Sequence, residues 1–251
     1  MPDDQMPPLF FELFSGLPRQ GPGDDASTRR ALGLLPALTP TSRVLDIGCG
    51  TGAQTFALAE ATPAHIVAID NHAPFVEALN ARARACGLAH RLEARVGDMR
   101  AIDPALAPVD LVWSEGAIYA MGFEAGLRAW RTLLAPGGHL VVSEACWMRP
   151  AVPAECAAFW DEEYPAIRDV PTQLARIPGC GYDIVGHFPL PASSWWGDYY
   201  APLEQNVIAF SARHRDNAEA LALAATVARE IDIWRRYSSY YSYEFFVLRA
   251  G

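Results

Sequence analysis

The sequence predicts an α/β fold built on a doubly wound, mostly parallel sheet of seven strands. Three observations support this prediction. Between residues 42 and 145, short apolar segments alternate with helix-like segments, which is typical of parallel strands joined by crossover helices. In the stretch VLDIGCGTG at 44–52, a glycine-rich loop follows directly on the first apolar segment. The aromatic and β-branched segment 240–249 predicts a last strand, antiparallel to its neighbours at the edge of the sheet.

The elements follow in order along the chain. Strands are predicted over 43–47, 65–70, 92–96, 109–114, 138–144, 181–190 and 240–249. Helices are predicted over 52–61, 73–86, 122–135, 171–180 and most of 202–236, with an interruption near 215–217. Pro136, Gly137 and Gly138 should stop the third helix, and 18–28 is the clearest irregular segment. Ligands of such a sheet lie beyond the carboxyl ends of its strands.

Composition favours one domain over 1–251 and excludes several classes of function. With 251 residues, 51% of them apolar, the chain can bury a full core. All 20 basic residues are arginines and are scattered, so lysine nucleophiles are excluded and neither nucleic acid nor an anionic membrane is expected as a partner. The N-terminus lacks the pattern of a signal peptide, which predicts a cytoplasmic protein. The five cysteines show no C-x-x-C spacing, and no metal site is predicted.

The glycine loop indicates a nucleotide-like cofactor. Gly48, Gly50 and Gly52 allow the backbone to turn sharply and to approach a ligand closely. With Ala53, the loop also fits a dinucleotide fingerprint, so an NAD-dependent oxidoreductase stays an alternative. Asp46 favours S-adenosylmethionine, because its carboxylate would repel a pyrophosphate and attract the cationic amino group of a methionyl tail.

Two further acids follow predicted strands. Asp70 lies 22 residues after Gly48, where an acid meets ribose hydroxyls in nucleotide-binding folds. Its alternative role is to cap the next helix, although Asn71 is better placed for that. Asp98 is placed to accept a hydrogen bond from an adenine amine, with Met99 packing nearby, or else to stabilise a turn.

Together these motifs resemble class I S-adenosylmethionine-dependent methyltransferases. The resemblance rests on Asp46-x-Gly48-x-Gly50-x-Gly52, Asp70, Gly97-Asp98-Met99, DLVWSEGA at 110–117 and LLAPGGHLVVSE at 133–144. A closer similarity continues through RQGPG at 19–23, WSEGAIY at 113–119 and FWDEEYP at 159–165. It is to a group of bacterial small-molecule methyltransferases without an assigned acceptor.

The resemblance implies S-adenosylmethionine as cofactor, S-adenosylhomocysteine as product and a Rossmann-like methyltransferase fold. It also implies a cofactor-binding core over 42–145 and a largely helical acceptor-pocket cover over 146–251. The N-terminal segment 1–41 is predicted to act as a lid, because the glycines of 19–23 permit close backbone approach to the cofactor; an ordinary surface turn at 19–23 is the alternative. We expect the cofactor to contact Gln20, Asp46, Gly48, Cys49, Gly50, Gly52, Gln54, Asp70, Asn71, Asp98, Met99 and Glu115. Residues 114–117 read Ser-Glu-Gly-Ala rather than Asn/Asp-Pro-Pro-aromatic, which argues against DNA, exocyclic-base or glutamine methylation.

The acceptor side is predicted from side chains that would surround the methyl group. Glu115, Glu144 and Tyr119 are the candidates for orienting or deprotonating the acceptor. The acceptor pocket is expected to include Trp147, Trp160, Glu163, Tyr164, His187 and Tyr199, with Trp195 and Trp196 as further candidates. Carboxylates among aromatic rings favour an amine, although N-, O- and S-methylation all stay open.

Alternatives remain for the acceptor side and for the assembly. The aromatic residues could instead form an apolar core, and His187 could be a hydrogen-bonded core histidine. If the aromatic residues fill the pocket, the protein binds the cofactor without catalysing transfer. A homodimer through the aromatic C-terminus is considered, but burial of the last strand explains that segment more economically.

Overall fold

The computed structural model describes residues 8–251, which form eight strands and ten α-helices. The strands are β1 (Arg43–Ile47), β2 (His65–Asp70), β3 (Leu92–Val96), β4 (Val109–Ser114), β5 (Leu134–Trp147), β6 (Arg168–Asp169), β7 (Tyr182–Pro189) and β8 (Tyr241–Ala250). The helices are α1 (Pro8–Leu13), α2 (Asp25–Leu32), α3 (Ala53–Ala61), α4 (Ala73–Ala85), α5 (Phe123–Arg131), α6 (Ala154–Glu163), α7 (Val170–Arg176), α8 (Ala192–Trp195), α9 (Ala201–Arg213) and α10 (Ala218–Tyr237). A single π-helical turn, Trp196–Tyr200, joins α8 to α9.

All eight strands belong to one sheet, and seven of them lie side by side in the order β3-β2-β1-β4-β5-β8-β7. Strands β1 to β5 pair in parallel, and the two-residue β6 extends the pairing at the end of β5. Strand β8 is antiparallel to both of its neighbours. The predicted doubly wound, mostly parallel sheet with an antiparallel last strand is therefore confirmed. Strands β2 and β3 lie on one side of β1, whereas β4 and β5 lie on the other. A ligand crevice opens at such a switch point.

The predicted place of β8 is wrong, because this strand is not at the edge of the sheet. It hydrogen-bonds to β5 on one side and to β7 on the other. Its side chains enter the cores on both faces: Phe245 and Val247 pack on one face, and Phe246 and Leu248 on the other. Since both of its backbone edges are paired, β8 offers no free edge to a second copy.

Three segments differ from the sequence-based elements. Strand β5 begins at Leu134 and runs through Pro136–Gly138, where Gly137 adopts φ +72°, so α5 ends earlier, at Arg131. Helix α6 follows Pro153 in a segment for which no helix was predicted, because its apolar residues lack a clear helical stripe. Helix α2 occupies part of the segment predicted to be irregular, and the Asp24 carboxylate caps it by accepting from Ser27 N at 2.6 Å.

Asn71 does not cap α4. The N-cap position is His72, which makes no side-chain capping bond, and the Asp70 carboxylate accepts from the His72 backbone instead. The first seven residues of the predicted lid segment 1–41 lie outside the described residues. Among residues 8–251, no helix combines the length and the apolar content needed to cross a membrane.

Candidate active site

A cavity of about 560 Å³ lies at the carboxyl ends of β1, β2, β3 and β4. This volume is within the range of small-molecule sites. The wall combines the glycine loop, the turns after β2 and β3, the segment after β4, and residues from α1 and the loop that follows it. Its predicted members are Gln20, Gly48, Cys49, Gly50, Gln54, Asp70, Asn71, Asp98, Met99, Glu115, Tyr119, Glu163 and Tyr164.

The glycine loop is in close contact with other parts of the cavity wall. Gly48 has φ +74°, and a Cβ on it would lie only 2.4 Å from the Cβ of Ala117. Its amide and that of Cys49 donate to the Ile69 carbonyl, at 2.8 and 3.0 Å. Gly50 has φ +52°, and a Cβ there would lie 3.3 Å from Cγ of Gln20. The loop therefore requires glycine for conformation at both positions and for space at Gly48.

Asp70 holds this loop to the end of β2. One carboxylate oxygen accepts from Gly50 N at 2.7 Å and the other from His72 N at 2.9 Å. The residue lines the cavity beside Asn71. Asp70 therefore positions the glycine loop and also presents its carboxylate at the position predicted to bind the ribose. Ribose binding itself stays a prediction.

Asp46 supports the loop from behind and does not belong to the cavity wall. Its buried carboxylate accepts from Thr55 Oγ1 at 2.6 Å and from Gln54 Nε2 at 3.5 Å. Burial, with the negative charges of Glu115 and Asp70, raises the pKa of Asp46 to about 7. Gln54, which donates to this carboxylate, does line the cavity. The predicted contact of Asp46 with a methionyl amino group stays a prediction. Gly52 is also outside the wall; a Cβ there would meet Leu79 at 2.6 Å.

The turn after β3 forms the opposite end of the cavity. Asp98 accepts from Arg100 N at 2.8 Å and is ion-paired with the Arg100 guanidinium at 3.5 Å. The Met99 carbonyl accepts from Trp130 Nε1 at 3.2 Å. Asp98 therefore stabilises its own turn while lining the cavity, so the two roles left open by the sequence are compatible.

Glu115 lies between the cavity and the N-terminal segment. Its Oε1 accepts from Thr28 Oγ1 at 2.7 Å and from Trp113 Nε1 at 2.9 Å, and Arg19 approaches Oε2 at 3.5 Å. Burial raises the pKa of Glu115, although the Arg19 charge and these hydrogen bonds oppose that shift. A carboxylate with these partners anchors the segment above it more readily than it takes a proton from an acceptor.

The segment from Arg19 to Asp25 is fixed at several points. Arg19 donates to Asp25 at 2.7 Å as well as to Glu115, and Gly23 N donates to the Ser194 carbonyl at 3.3 Å. A Cβ on Gly23 would lie 2.9 Å from the Arg19 guanidinium. RQGPG was recognised as a motif in the sequence, but no role was predicted for Arg19. The feature that could have indicated a role is that a buried arginine needs an acidic partner, which here is Glu115 at the end of β4.

Helix α1 supplies aromatic residues that sequence reasoning also missed. Phe10, Phe11 and Phe14 line the cavity. The Phe11 ring stacks on the His72 ring with centroids 3.7 Å apart, and Phe10 stacks on Phe14 at 4.3 Å. Helix α1 thereby packs against the start of α4 at the edge of the cavity.

The buried Glu144 pairs with the partly buried Tyr164 on the acceptor side. The Tyr164 hydroxyl donates to Glu144 Oε1 at 2.5 Å, whereas Oε2 has no hydrogen-bond partner within residues 8–251. Burial raises the pKa of Glu144 to about 7, and the hydrogen bond from Tyr164 opposes that shift. Glu144 is not part of the cavity wall, but Tyr164 is, and its ring meets that of Tyr119 with centroids 5.9 Å apart.

Other predicted acceptor residues are not brought to the cavity wall: Trp147, Trp160, His187, Trp195, Trp196 and Tyr199. His187 lies on β7, where its Nδ1 is 2.5 Å from Glu244 Oε1 and its side chain is 40% exposed, so it is neither a cavity residue nor a core histidine. Trp195 is buried and donates to Ser242 Oγ at 3.1 Å. The Trp160 ring meets that of Tyr241 with centroids 4.8 Å apart, and the Tyr199 ring meets that of Tyr200 at 4.9 Å.

Comparison with protein families identifies the segment that carries the glycine loop. Residues 44–138 match the family described as "Methyltransferase domain". Among curated proteins, the chain is 42% identical over 106 residues to a protein-L-isoaspartate O-methyltransferase of Methylorubrum populi, covering 42% of this chain and 46% of that one. It is 32% identical over 184 residues to a trans-aconitate 2-methyltransferase of an Azoarcus species, covering 71% and 64%. The chain thus spans less than half the length of the first of these relatives.

The fold is also found in solved structures. A SAM-dependent methyltransferase from Thiobacillus denitrificans, crystallised with S-adenosyl-L-homocysteine, superposes with a TM-score of 0.83 at 21% identity. The superposition covers 98% of this chain and 99% of that chain. At this identity the likeness shows a shared fold over the whole length.

Proposed function

We propose that this chain, whose residues 44–138 carry a methyltransferase domain within a class I methyltransferase fold, transfers a methyl group from S-adenosylmethionine to a small-molecule acceptor. One observation carries the proposal. The cavity lies at the switch point of the sheet, under a glycine loop that Asp70 fastens to β2. The family match over this same segment and the class I fold support S-adenosylmethionine as the cofactor.

The residues present fit this cofactor better than a dinucleotide. The loop brings its backbone to the cavity with no Cβ at Gly48 or Gly50, and Asp70 and Asn71 line the cavity at the end of β2. These two residues would bind the ribose hydroxyls. Both arginines of the wall, Arg19 and Arg100, are ion-paired with carboxylates, so the site offers no free cation from its described wall to a pyrophosphate. A cationic sulfonium suits that balance of charge.

When bound, S-adenosylmethionine supplies an electrophilic methyl group. The chain then has to position the acceptor, exclude water and remove a proton where the acceptor requires it. Gln20, Gln54 and the loop at 48–50 would hold the methionyl tail, and Asp98 with Met99 would hold the adenine. Tyr164 and Glu144 would hold the acceptor's proton: Glu144 keeps one oxygen without a partner within residues 8–251, and Tyr164 reaches the cavity wall.

A small-molecule acceptor suits a cavity enclosed by α1, the segment after it and α6. The charge balance of the chain, at −9, supports the same conclusion, since nucleic acid would be repelled. We also propose, as the sequence predicts, that the protein acts in the cytoplasm.

Calorimetric titration with S-adenosylmethionine, S-adenosylhomocysteine and NADH tests the donor. We expect both adenosyl ligands to bind and Asp70→Ala to weaken them at least tenfold, because the loop loses its anchor and the ribose its carboxylate; tenfold corresponds to about 1.4 kcal/mol. Asp183→Ala is the matched control, since Asp183 is an exposed acid ion-paired with Arg249 on the far edge of the sheet. Binding of NADH without the adenosyl ligands would overturn the assignment.

A further inference from the structure

The hydrogen bond between Tyr164 and Glu144 fixes what Tyr164 can offer to a ligand. Tyr164 follows α6 directly and lines the cavity, whereas Glu144 lies near the end of β5 and is 1% exposed. The Tyr164 hydroxyl donates to Glu144 Oε1 at 2.5 Å. Because an ionised carboxylate only accepts hydrogen bonds, the one proton of this hydroxyl is committed to Glu144. Tyr164 can then accept a hydrogen bond from a ligand but cannot donate one.

Glu144 is a buried base that no cation neutralises within residues 8–251. Its Oε2 is buried and has no hydrogen-bond partner there. Glu244 lies directly opposite on β8, but that carboxylate is paired with His187, whose Nδ1 is 2.5 Å from Glu244 Oε1. Burial raises the pKa of Glu144 to about 7, and burial and the Glu144 charge raise the pKa of Tyr164. A proton that reaches the Tyr164 oxygen therefore displaces the existing one onto Glu144.

Two further titratable groups beside Glu144 stay neutral near pH 7. Cys146 lies two residues further along β5, and Tyr243 of β8 lies opposite Ala145. Burial raises the pKa of the Cys146 thiol and of the Tyr243 hydroxyl. Of the groups near Tyr164, Glu144 is thus the one placed to take up its proton.

The cavity wall does not favour a carboxylate as acceptor. Both arginines of the described wall, Arg19 and Arg100, are ion-paired with acids. Glu163, which precedes Tyr164 in the chain, adds a negative charge to the wall. A carboxylate would therefore meet like charge, and it has no proton to donate to Tyr164.

A base behind the acceptor matters most for a nucleophile that must lose a proton as it attacks. A neutral amine attacks through its lone pair, whereas a hydroxyl is a weak nucleophile until its proton is removed. The pKa of a phenol is about 10, as for tyrosine, while an aliphatic alcohol is a far weaker acid. An aromatic surface lies beside the pair, since the Tyr119 and Tyr164 rings line the cavity edge to face, with centroids 5.9 Å apart.

We propose that the methyl acceptor is a phenol, whose hydroxyl donates to Tyr164 and whose ring packs beside Tyr119. The proposal rests on the proposed function and names its acceptor class. The phenol O–H bond breaks and its proton goes to the Tyr164 oxygen, while the proton of Tyr164 goes to Glu144. The phenol oxygen bonds to the methyl carbon as that carbon leaves the sulfonium sulfur. The products are an aryl methyl ether, S-adenosylhomocysteine and a neutral Glu144, which returns its proton to water.

Matched ligands that differ in one group test the acceptor class. Phenol, anisole and benzoate form one set, and para-hydroxyacetophenone, para-methoxyacetophenone and para-acetylbenzoate form another. Each is titrated calorimetrically into the protein saturated with S-adenosylhomocysteine, with benzylammonium as the competing amine. We expect the phenol of at least one set to bind about tenfold more tightly than its methyl ether, with the carboxylate weakest and benzylammonium weaker than the phenol.

Variants of Tyr164 separate recognition from folding. Tyr164→Phe should abolish the preference for the phenol over its ether, while affinities for the ether and for S-adenosylhomocysteine stay within about twofold. Tyr237→Phe is the matched control, because Tyr237 donates to Glu155 at 2.7 Å on the surface. Tyr164→Phe leaves the Glu144 carboxylate without its hydrogen bond. The double variant Tyr164→Phe/Glu144→Leu therefore tests the same loss with both polar partners replaced.

The pH dependence of the preference tests Glu144 as a group that acts through Tyr164. A protonated Glu144 can donate to the Tyr164 oxygen, so the preference for phenol over anisole should be larger at pH 8 than at pH 6, while phenol itself stays neutral. Glu144→Gln still accepts from Tyr164 but cannot titrate, so its preference should be equal at both pH values. Glu155→Gln, which alters the surface pair with Tyr237, should keep the wild-type dependence.

The outcomes distinguish this inference from the function on which it rests. Without S-adenosylhomocysteine binding, the proposed function fails and the inference fails with it. If S-adenosylhomocysteine binds but neither phenol exceeds its ether, or benzylammonium binds more tightly than both phenols, the acceptor class is wrong and the donor assignment stands. A phenol preference that survives in Tyr164→Phe and in the double variant would overturn the role of Tyr164. A preference in Glu144→Gln that still changes with pH would overturn the role of Glu144.

Discussion

At the scale of single residues, the site depends on glycine positions at which neighbouring atoms leave no room for a side chain. Gly48 combines a left-handed backbone conformation with a neighbour, Ala117, that leaves no room for a Cβ. Both requirements act at the point where the chain passes from β1 to α3. Substitution at this position should therefore affect stability and cofactor binding together.

Gly48→Ala is expected to lower the free energy of unfolding by about 2–3 kcal/mol, since backbone strain and a steric collision add. Cofactor binding should also be lost, because relieving the collision moves the loop or the segment after β4. Urea unfolding and titration with S-adenosylhomocysteine measure the two effects. Gly179→Ala is the control, as a Cβ there meets nothing within 4 Å. Wild-type affinity in Gly48→Ala would show that the loop does not bind the cofactor.

The sequence predicted those residues of the cavity wall whose place follows from strand ends. Asp70, Asp98 and Glu115 lie at or within two residues of the carboxyl ends of strands that meet at one edge of the sheet, so topology brings them together. Phe10 and Phe11 were missed because they come from α1, and no local spacing relates that helix to the glycine loop. The contact predicted for Asp46 rests on charge alone, and charge does not reveal that its carboxylate is buried and accepts from Thr55 and Gln54.

At the scale of elements, the segment before α2 is fastened to the sheet by one buried ion pair. Arg19 and Glu115 have side chains only 7% and 5% exposed. The pair joins a loop, which has little regular structure of its own, to the end of β4. If it is broken, the segment loses its ion pair to the end of β4, and Glu115 keeps a buried carboxylate with its hydrogen bonds from Thr28 and Trp113 but without its cation.

Arg19→Ala should lower the free energy of unfolding by about 3 kcal/mol, the lower end of the range for breaking a buried pair, because the distance to Glu115 is long. Limited proteolysis should then cut within 18–24 faster than in the wild type. Arg29→Ala removes an exposed pair with Glu60, where both side chains are about half exposed, and should change stability little. Equal cleavage rates in the two variants would contradict the attachment.

The elements that sequence reasoning placed correctly are those with strong local patterns. Strands β1, β2, β3 and β4, which are short apolar segments between helix-like segments, were predicted with their observed bounds. Strand β8 was recognised from its aromatic residues, but its position depends on β7 pairing outside it, which is a tertiary choice. Helix α6 and the early start of β5 depend on packing that overrides weak local preference.

At the scale of the whole molecule, burial of carboxyl groups dominates the expected response to pH. Asp46, Glu144 and Glu230 lie on different elements, and burial raises the pKa of each to about 7. In the unfolded chain such groups have pKa values near 4. Between about pH 4 and pH 7 the folded protein therefore holds protons that the unfolded chain has released.

This difference fixes the sign of the pH dependence. Stability falls with rising pH wherever the folded state binds more protons, by at most about 1.4 kcal/mol per pH unit for each group. We expect the free energy of unfolding to decline from pH 5 to pH 7 and to level off above pH 8. Urea unfolding at pH 5, 6, 7 and 8 measures this directly.

Glu144→Gln should flatten the decline between pH 5 and pH 7, because one carboxyl with a raised pKa has been removed. Glu155→Gln should leave the profile parallel to that of the wild type. Arg236 and Tyr237 hold the pKa of the exposed Glu155 down to about 2, so this group titrates below the window that is measured. A profile that rises from pH 5 to pH 7, or an unchanged slope in Glu144→Gln, would show that Glu144 is already ionised in the folded protein. The buried pair with Tyr164 would then hold a permanent negative charge beside the cavity, and Glu144 would be too weak a base to hold an acceptor's proton near neutral pH.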